Sequence, residues 1–133
     1  MNILRFNGDD DRLFQLVARL VMNKDVLASN NNYPFKTSPD YQWFVACENN
    51  SVVAFLPVCV KNNKATINNY YVSGDNCELL ADVVKCVIEQ FAESHLIISV
   101  AHTRHLPLFQ NLGFSIILQW AKYVKMIYNT SNA

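Results

Sequence analysis

Residues 75–101, DNCELLADVVKCVIEQFAESHLIISVA, decide the fold of this chain. Apolar side chains recur at helical spacing in the first part of this stretch, which predicts a helix from about Asn76 to Phe91. Its apolar face consists of Leu79, Leu80, Val83, Val84, Val87, Ile88 and Phe91. Asp75 and Glu78 have the D-x-x-E spacing of a capping box, so we expect Asp75 to cap this helix.

The run that follows the helix, from Leu96 to Ala101, is apolar on both of its alternating faces. Such a pattern is typical of a strand that helices cover on both sides. A helix of this length between two strands is a crossover connection, which makes those strands parallel. The segment therefore predicts an α/β fold.

Three strands precede the crossover helix, at about Gln42–Glu48, Ser51–Val60 and Lys64–Val72. Asparagine pairs separate them, at 49–50 and 62–63, and asparagine tolerates the left-handed backbone of tight hairpins. This pattern predicts an antiparallel meander. Pro57 lies inside the second strand, so we expect a bulge there or a stretch that faces an unpaired edge.

The beginning of the chain predicts a short strand, Asn2–Phe6, and then a helix that acids at 9–11 can cap. The apolar stripe of this helix consists of Leu13, Phe14, Leu16, Val17, Leu20 and Val21. Residues 30–41, NNNYPFKTSPDY, combine two prolines with three asparagines, which favours a long surface loop.

The end of the chain predicts a short helix from about Arg104 to Leu112, which Gly113 terminates, and two final strands, FSIILQ and KYVKMIY. The elements add up to an α/β (α+β) domain over residues 1–133, with a central mixed sheet of about six to seven strands flanked by helices. A length of 133 residues fits one core better than two.

Composition excludes several classes of protein. Eleven basic residues balance eleven acidic ones, which argues against a nucleic-acid partner. No apolar run has the length of a signal peptide behind a basic flank or of a membrane span, so we expect a cytoplasmic protein with no membrane partner. The four cysteines form no C-x-x-C pair, which favours buried free thiols over a metal site or disulfides.

The order of these elements resembles the GNAT superfamily of acyl-CoA-dependent N-acyltransferases over nearly the whole chain. Three local motifs add to the resemblance: YYV at 70–72, LFQNLGF at 108–114 and YVKMIY at 123–128. The resemblance implies transfer of an acyl group from acetyl-CoA, as co-substrate, to an amine of a small molecule or a protein.

The resemblance also implies where the site lies, in a cleft where the fourth and fifth strands separate. The carboxyl ends of parallel strands beside a crossover helix are the usual ligand site of open α/β sheets. Residues 71–73 would form one wall of the cleft and residues 101–103 the other. The candidate cofactor-binding residues are Tyr71, Val72, Ser73, Gly74, Asn76, Thr103, Arg104 and Phe109.

Two parts of the family's pattern are missing. The R/Q-x-x-G-x-G/A loop that holds the CoA pyrophosphate is absent, and SGDNCE at 73–78 is about six residues shorter, with acids that repel an anion. Phe109 stands where the family's tyrosine protonates the CoA thiolate. His102, at the family's asparagine position, becomes the candidate catalytic residue because an imidazole can accept or relay a proton.

Alternatives remain open at this point. His102 can instead be a structural strand-end histidine bonded to backbone, and we interpret His105 as a surface or packing residue. Arg104 can meet a CoA phosphate or simply be exposed. The chain as a whole is either an N-acetyltransferase or a catalytically inactive GNAT-fold module that binds a ligand or partner. A third hypothesis is a homodimer formed through the last strand, at 122–128.

Overall fold

A computed structural model describes residues 1–129 and shows a mixed sheet of eight strands. The strands are β1 (Asn2–Asn7), β2 (Tyr41–Glu48), β3 (Ser51–Lys61), β4 (Lys64–Ile67), β5 (Tyr71–Val72), β6 (Leu96–His102), β7 (Phe114–Gln119) and β8 (Tyr123–Tyr128). Their order is β1-β2-β3-β4-β6-β8-β7, and β5 pairs with β3 beyond the end of β4. Only β4 and β6 pair in parallel, which confirms the predicted crossover. Residues 130–133 of the predicted domain lie outside the described residues.

Helices cover both faces of the sheet. They are α1 (Asp11–Val21), α2 (Lys24–Ser29), α3 (Cys77–Phe91) and α4 (Leu106–Asn111). Alternate residues of a strand point to opposite faces. Phe44 and Ala46 therefore join α3 and α4 in the larger core, whereas Trp43 and Val45 join α1 in the smaller one.

The predicted crossover helix is confirmed, and its apolar face is buried. Its buried residues are Leu79, Leu80, Val83, Val84, Val87 and Phe91. The prediction was wrong at Ile88, which is only partly buried at the margin of the core. It was also wrong at the cap: the Asn76 side chain accepts from the Leu79 amide (3.1 Å), and Asp75 lies outside the helix with φ +52°. Asparagine and aspartate cap equally well, so adjacent candidates compete.

The first helix begins as predicted, with Asp10 as its N-cap, but ends at Val21. A second helix, α2, follows at once because Asn23 accepts hydrogen bonds from the amides of Asp25 and Val26. The sequence pattern did not predict α2. The predicted apolar stripe of α1 is only partly buried, since Phe14 remains 58% exposed.

The predicted strand over 64–72 is interrupted, which is a further correction. β4 ends at Ile67, Asn69 has φ +56°, and only then does the chain return to the sheet as β5. On this side, β3 pairs with β5 at Ala54 and Phe55 and pairs with β4 from Val58 to Lys61. Pro57 therefore faces the gap between β5 and β4. Proline lacks the amide hydrogen that a ladder needs, which is why it fits there.

The last strand is not available for a partner. β8 lies between β6 and β7, so the free edge on this side belongs to β7. The four cysteines are free, but Cys77 is exposed and the others are half-buried, which corrects the prediction that they are buried. No helix within residues 1–129 has both the length and the hydropathy of a membrane span.

Candidate functional site

A crevice opens where the parallel ladder between β4 and β6 stops. The last paired residues are Ile67 and Ser99, and β5 pairs only with β3. The Tyr70 hydroxyl spans the gap and accepts a hydrogen bond from the His102 backbone amide (3.1 Å). The Tyr70 hydroxyl thus satisfies the His102 amide in place of a strand partner. The same hydrogen bond fixes the separation between the β5 and β6 walls of the crevice.

A chain of hydrogen bonds leads from this hydroxyl to the surface. Nδ1 of His105 lies 2.5 Å from the Tyr70 hydroxyl, and its Nε2 lies 2.9 Å from Oδ1 of Asp75. An ionised carboxylate only accepts hydrogen bonds, so Nε2 carries the proton and Nδ1 accepts from tyrosine. Tyr70 is 4% exposed and His105 is 2% exposed, which makes this a buried polar network.

Burial determines the charge of these groups. Desolvation raises the pKa of Tyr70 and lowers the pKa of His105, although the Asp75 carboxylate partly opposes the second shift. Hydrogen bonds from Arg104 lower the pKa of Asp75. At neutral pH the network therefore contains a neutral tyrosine, a neutral imidazole and an ionised carboxylate.

Asp75 also binds Arg104 at the outer end of the network. Nε and Nη2 of Arg104 donate to its two carboxylate oxygens at 3.0–3.2 Å. The 3₁₀ turn Ser73–Asp75 aims the carboxylate there, with φ +64° at Gly74 and +52° at Asp75. Asp75 is therefore paired with Arg104 and does not cap α3, where the Asn76 side chain accepts the hydrogen bond instead.

A cavity of about 310 Å³ lies over the crevice. Its walls include Tyr70, Tyr71, Val72, Gly74, Asp75, His102, Arg104 and His105, and α2 contributes Asp25, Val26 and Ser29. Nδ1 of His102 is buried and has no hydrogen-bond partner. Desolvation, with smaller effects from Arg104 and His105, lowers the pKa of His102 to about 4, so its ring is neutral at physiological pH.

A larger groove of about 800 Å³ opens beside the crevice. Tyr123 lies between the two spaces: it lines the groove, and its ring centroid lies 5.2 Å from that of His102. The long loop borders the groove because Asn31 donates to the Tyr123 hydroxyl (2.9 Å) and Asn30 donates to Asn69 (3.3 Å).

The predicted site residues divide into two sets. Tyr71, Val72, Gly74, Arg104 and the candidate catalytic His102 line the cavity, whereas Ser73, Asn76, Thr103 and Phe109 do not. Asn76 caps α3, Thr103 donates to the Ala121 carbonyl (3.3 Å), and Phe109 is fully buried in the core.

Sequence reasoning missed the network of Tyr70, His105 and Asp75. His105 was interpreted as a surface or packing residue, and its burial excludes the surface alternative. Thirty-five residues separate Tyr70 from His105, so no local pattern connects them. Two signals were available in the sequence. One was His105, a second histidine three residues after the His102 that ends β6, and the other was Asp75, an acid that is not needed as a cap because Asn76 can fill that role.

Comparison with known proteins reveals the fold. No protein-family model and no curated protein matches this chain. Among solved structures, it resembles Escherichia coli ElaA (TM-score 0.73, 12% identity, 97% of this chain and 100% of that one). A Pseudomonas aeruginosa acyl-CoA N-acyltransferase gives 0.73 and 13%, over 97% and 100%. An Elizabethkingia anophelis GNAT family acetyltransferase with acetyl-CoA bound gives 0.61 and 15%, over 95% and 94%. The chain has the fold of the GNAT acetyltransferases.

Proposed function

We propose that this protein is an N-acyltransferase that moves an acetyl group from acetyl-CoA to an amine. One observation carries the proposal: Tyr70 spans the gap between β5 and β6, and His102, on the wall of the cavity over this gap, has a buried ring nitrogen without a hydrogen-bond partner. An unpaired buried polar atom is costly, and a catalytic role is one explanation for it. The GNAT fold, shared with N-acetyltransferases of known structure, supports the same conclusion.

The reaction joins an amine nitrogen to the thioester carbonyl and releases a thiol. The outer edge of β5 faces the crevice without a strand partner in the described chain, so its backbone groups are available to orient and polarise the carbonyl. His102 Nδ1 takes the proton that the attacking nitrogen loses and returns it to the leaving sulfur. The proton count balances, and no tyrosine at position 109 is needed.

The lowered pKa of His102 favours the second half of this role, delivery of the proton to the leaving sulfur. A value of about 4 keeps the ring neutral at physiological pH, but it makes the imidazole a weak base. It also makes the imidazolium a strong acid, which favours delivery of the proton to a thiolate. The substrate amine must be unprotonated when it attacks, so we expect activity to rise with pH toward the pKa of that amine.

The two ends of acetyl-CoA fit the site unequally. The cavity beside the crevice suits the thioester end, but the shortened turn offers no cradle for the pyrophosphate. Arg104 is the only guanidinium on the described walls of the cavity, and Asp75 already pairs with it. We therefore expect weak binding of CoA. The same observation favours the second candidate, a catalytically inactive module that binds another ligand in the crevice.

Calorimetry with acetyl-CoA and CoA tests binding. Asp75→Asn removes the competing charge, so we expect it to tighten CoA binding by about three- to fivefold, as for an exposed ion pair. Asp82→Asn, on the exposed side of α3, makes the same charge change away from the cavity and serves as the control.

Release of free thiol during incubation with an amine panel tests transfer. His102→Ala should lower kcat by about 100-fold and leave CoA affinity nearly unchanged, because a general base acts on the chemical step. If millimolar CoA binds neither the parent nor Asp75→Asn, the binding module replaces the enzyme. If transfer occurs but His102→Ala keeps full turnover, the histidine role is wrong.

A further inference from the structure

The groove beside the crevice has a chemical character of its own. Lys36 and Lys122 stand on its walls, and none of its described lining residues is acidic. Neither lysine forms an ion pair within residues 1–129. The cavity over the crevice differs, because Asp25 and Asp75 are among its walls. A ligand in the groove therefore meets uncompensated positive charge.

Aromatic side chains line the groove together with the two lysines. Tyr33 is 56% exposed and Trp120 is 49% exposed, and both rings line the groove. Tyr33 packs edge-on against Tyr123, with the ring centroids 6.0 Å apart. Exposed aromatic faces of this kind bind flat apolar groups with little loss of side-chain entropy.

The wall that carries Lys122 is held in place by backbone hydrogen bonds. The Lys122 carbonyl accepts from the Thr103 amide (3.0 Å), and the Trp120 amide donates to the Tyr123 carbonyl (2.8 Å). The turn between β7 and β8 is thus fixed to the end of β6, next to His102. An anionic group at Lys122 would bring the rest of a small ligand close to the crevice.

We propose that the acceptor is a small primary amine that carries an aromatic ring and an anionic group, as an aromatic amino acid does. This proposal rests on the acyltransferase function and deepens it. The amine points toward the crevice past Tyr123, the carboxylate on the same carbon meets Lys122, and the ring lies against Tyr33 and Trp120. Lys36 adds positive charge to the same groove. The same two lysines disfavour polycationic amines.

L-Tryptophan and tryptamine test the proposal because they share the indole and the primary amine and differ in the carboxylate. We expect wild type to prefer tryptophan in kcat/KM. The double variant Lys36→Glu/Lys122→Glu should lower the tryptophan-to-tryptamine ratio by about tenfold, since two exposed charges are reversed. Comparing ratios between variants cancels the difference in amine pKa.

The matched control is Lys61→Glu/Lys64→Glu, which makes the same charge change on exposed lysines that flank the turn between β3 and β4. It should leave the ratio at the wild-type value. A ratio that falls equally in both variants would show a general field effect and overturn the groove assignment. A wild-type preference for tryptamine, or for spermidine, would overturn the substrate class while leaving the acyltransferase function intact.

Binding, measured by chemical-shift titration of both amines, gives a second readout that needs no turnover. Tryptophan should shift the Trp120 and Tyr123 signals in wild type and in the control, and less in the groove variant. If it does so without any release of thiol, the groove assignment stands and the enzyme function fails. If neither amine shifts those signals, the groove assignment fails.

Discussion

Replacing His102 with phenylalanine should make the protein's stability less sensitive to acid. The ring of His102 is 3% exposed, and burial lowers its pKa from 6.5 to about 4. Between about pH 6.5 and pH 4 the unfolded state binds a proton that the folded state does not. The free energy of unfolding is therefore highest above the unfolded-state pKa and decreases as the pH is lowered through this window. Linkage gives a loss of about 2 kcal/mol between about pH 7.5 and pH 5 from this residue alone.

Urea unfolding at the two pH values measures the effect. His102→Phe keeps a flat ring between Tyr70 and Tyr123 but cannot titrate. The pKa of His105 is also lowered by burial, so wild type loses further stability in the same direction, and that part remains in the variant. The difference between the two proteins therefore isolates His102.

An equal loss of stability in wild type and His102→Phe on acidification would refute the reasoning. It would mean that the imidazole titrates at its ordinary value, either because water reaches Nδ1 or because the ring turns outward. His105→Asn, which removes the other buried imidazole, should still show the contribution of His102.

Three other changes test the fold and its surfaces. Val84→Ala, in the fully buried face of α3, should lower the free energy of unfolding by about 1 to 3 kcal/mol in urea. Tyr70→Phe leaves the His102 amide without its acceptor and should cost about 1 to 3 kcal/mol, with faster exchange of that amide hydrogen. If the protein is a homodimer, the exposed apolar edge of β7 is the expected interface, and Ile117→Lys should yield monomers in sedimentation velocity.

The sequence predicted the elements whose signal is local and repeated. Seven apolar positions at helical spacing define α3. A strand with this sequence would place these apolar side chains on both of its faces, so the 3.6-residue period favours a helix. The parallel pairing of β4 and β6 follows from the length of that connection. The asparagine pairs at 49–50 and 62–63 have positive φ in both hairpins, which is the reason they mark the turns.

The candidate site was less predictable because its parts come from distant segments. Its cavity takes walls from α2, β5, β6 and the 3₁₀ turns Ser73–Asp75 and Thr103–His105. The roles of Asp75 and His105 exist only once these elements meet. Asp75 had the local pattern of a cap, but a neighbouring asparagine fills that role and frees the acid. Phe109 was placed at the site by the resemblance alone, yet its ring is fully buried in the core.

Two connections across the crevice differ greatly in strength, and the difference decides how the site can open. The inner one, from Tyr70 to His102, is buried, so breaking it strands polar groups at a cost of about 1 to 3 kcal/mol. The outer one joins side chains that are each nearly half exposed, Asp75 and Arg104, and exposed pairs contribute about 0 to 1 kcal/mol. An incoming anion can therefore displace Asp75 from Arg104 while Tyr70 keeps the walls apart. His105 hydrogen-bonds Asp75 through Nε2 and Tyr70 through Nδ1. Displacing Asp75 would therefore remove the partner of His105 Nε2, and this change would be passed to Tyr70 at the crevice.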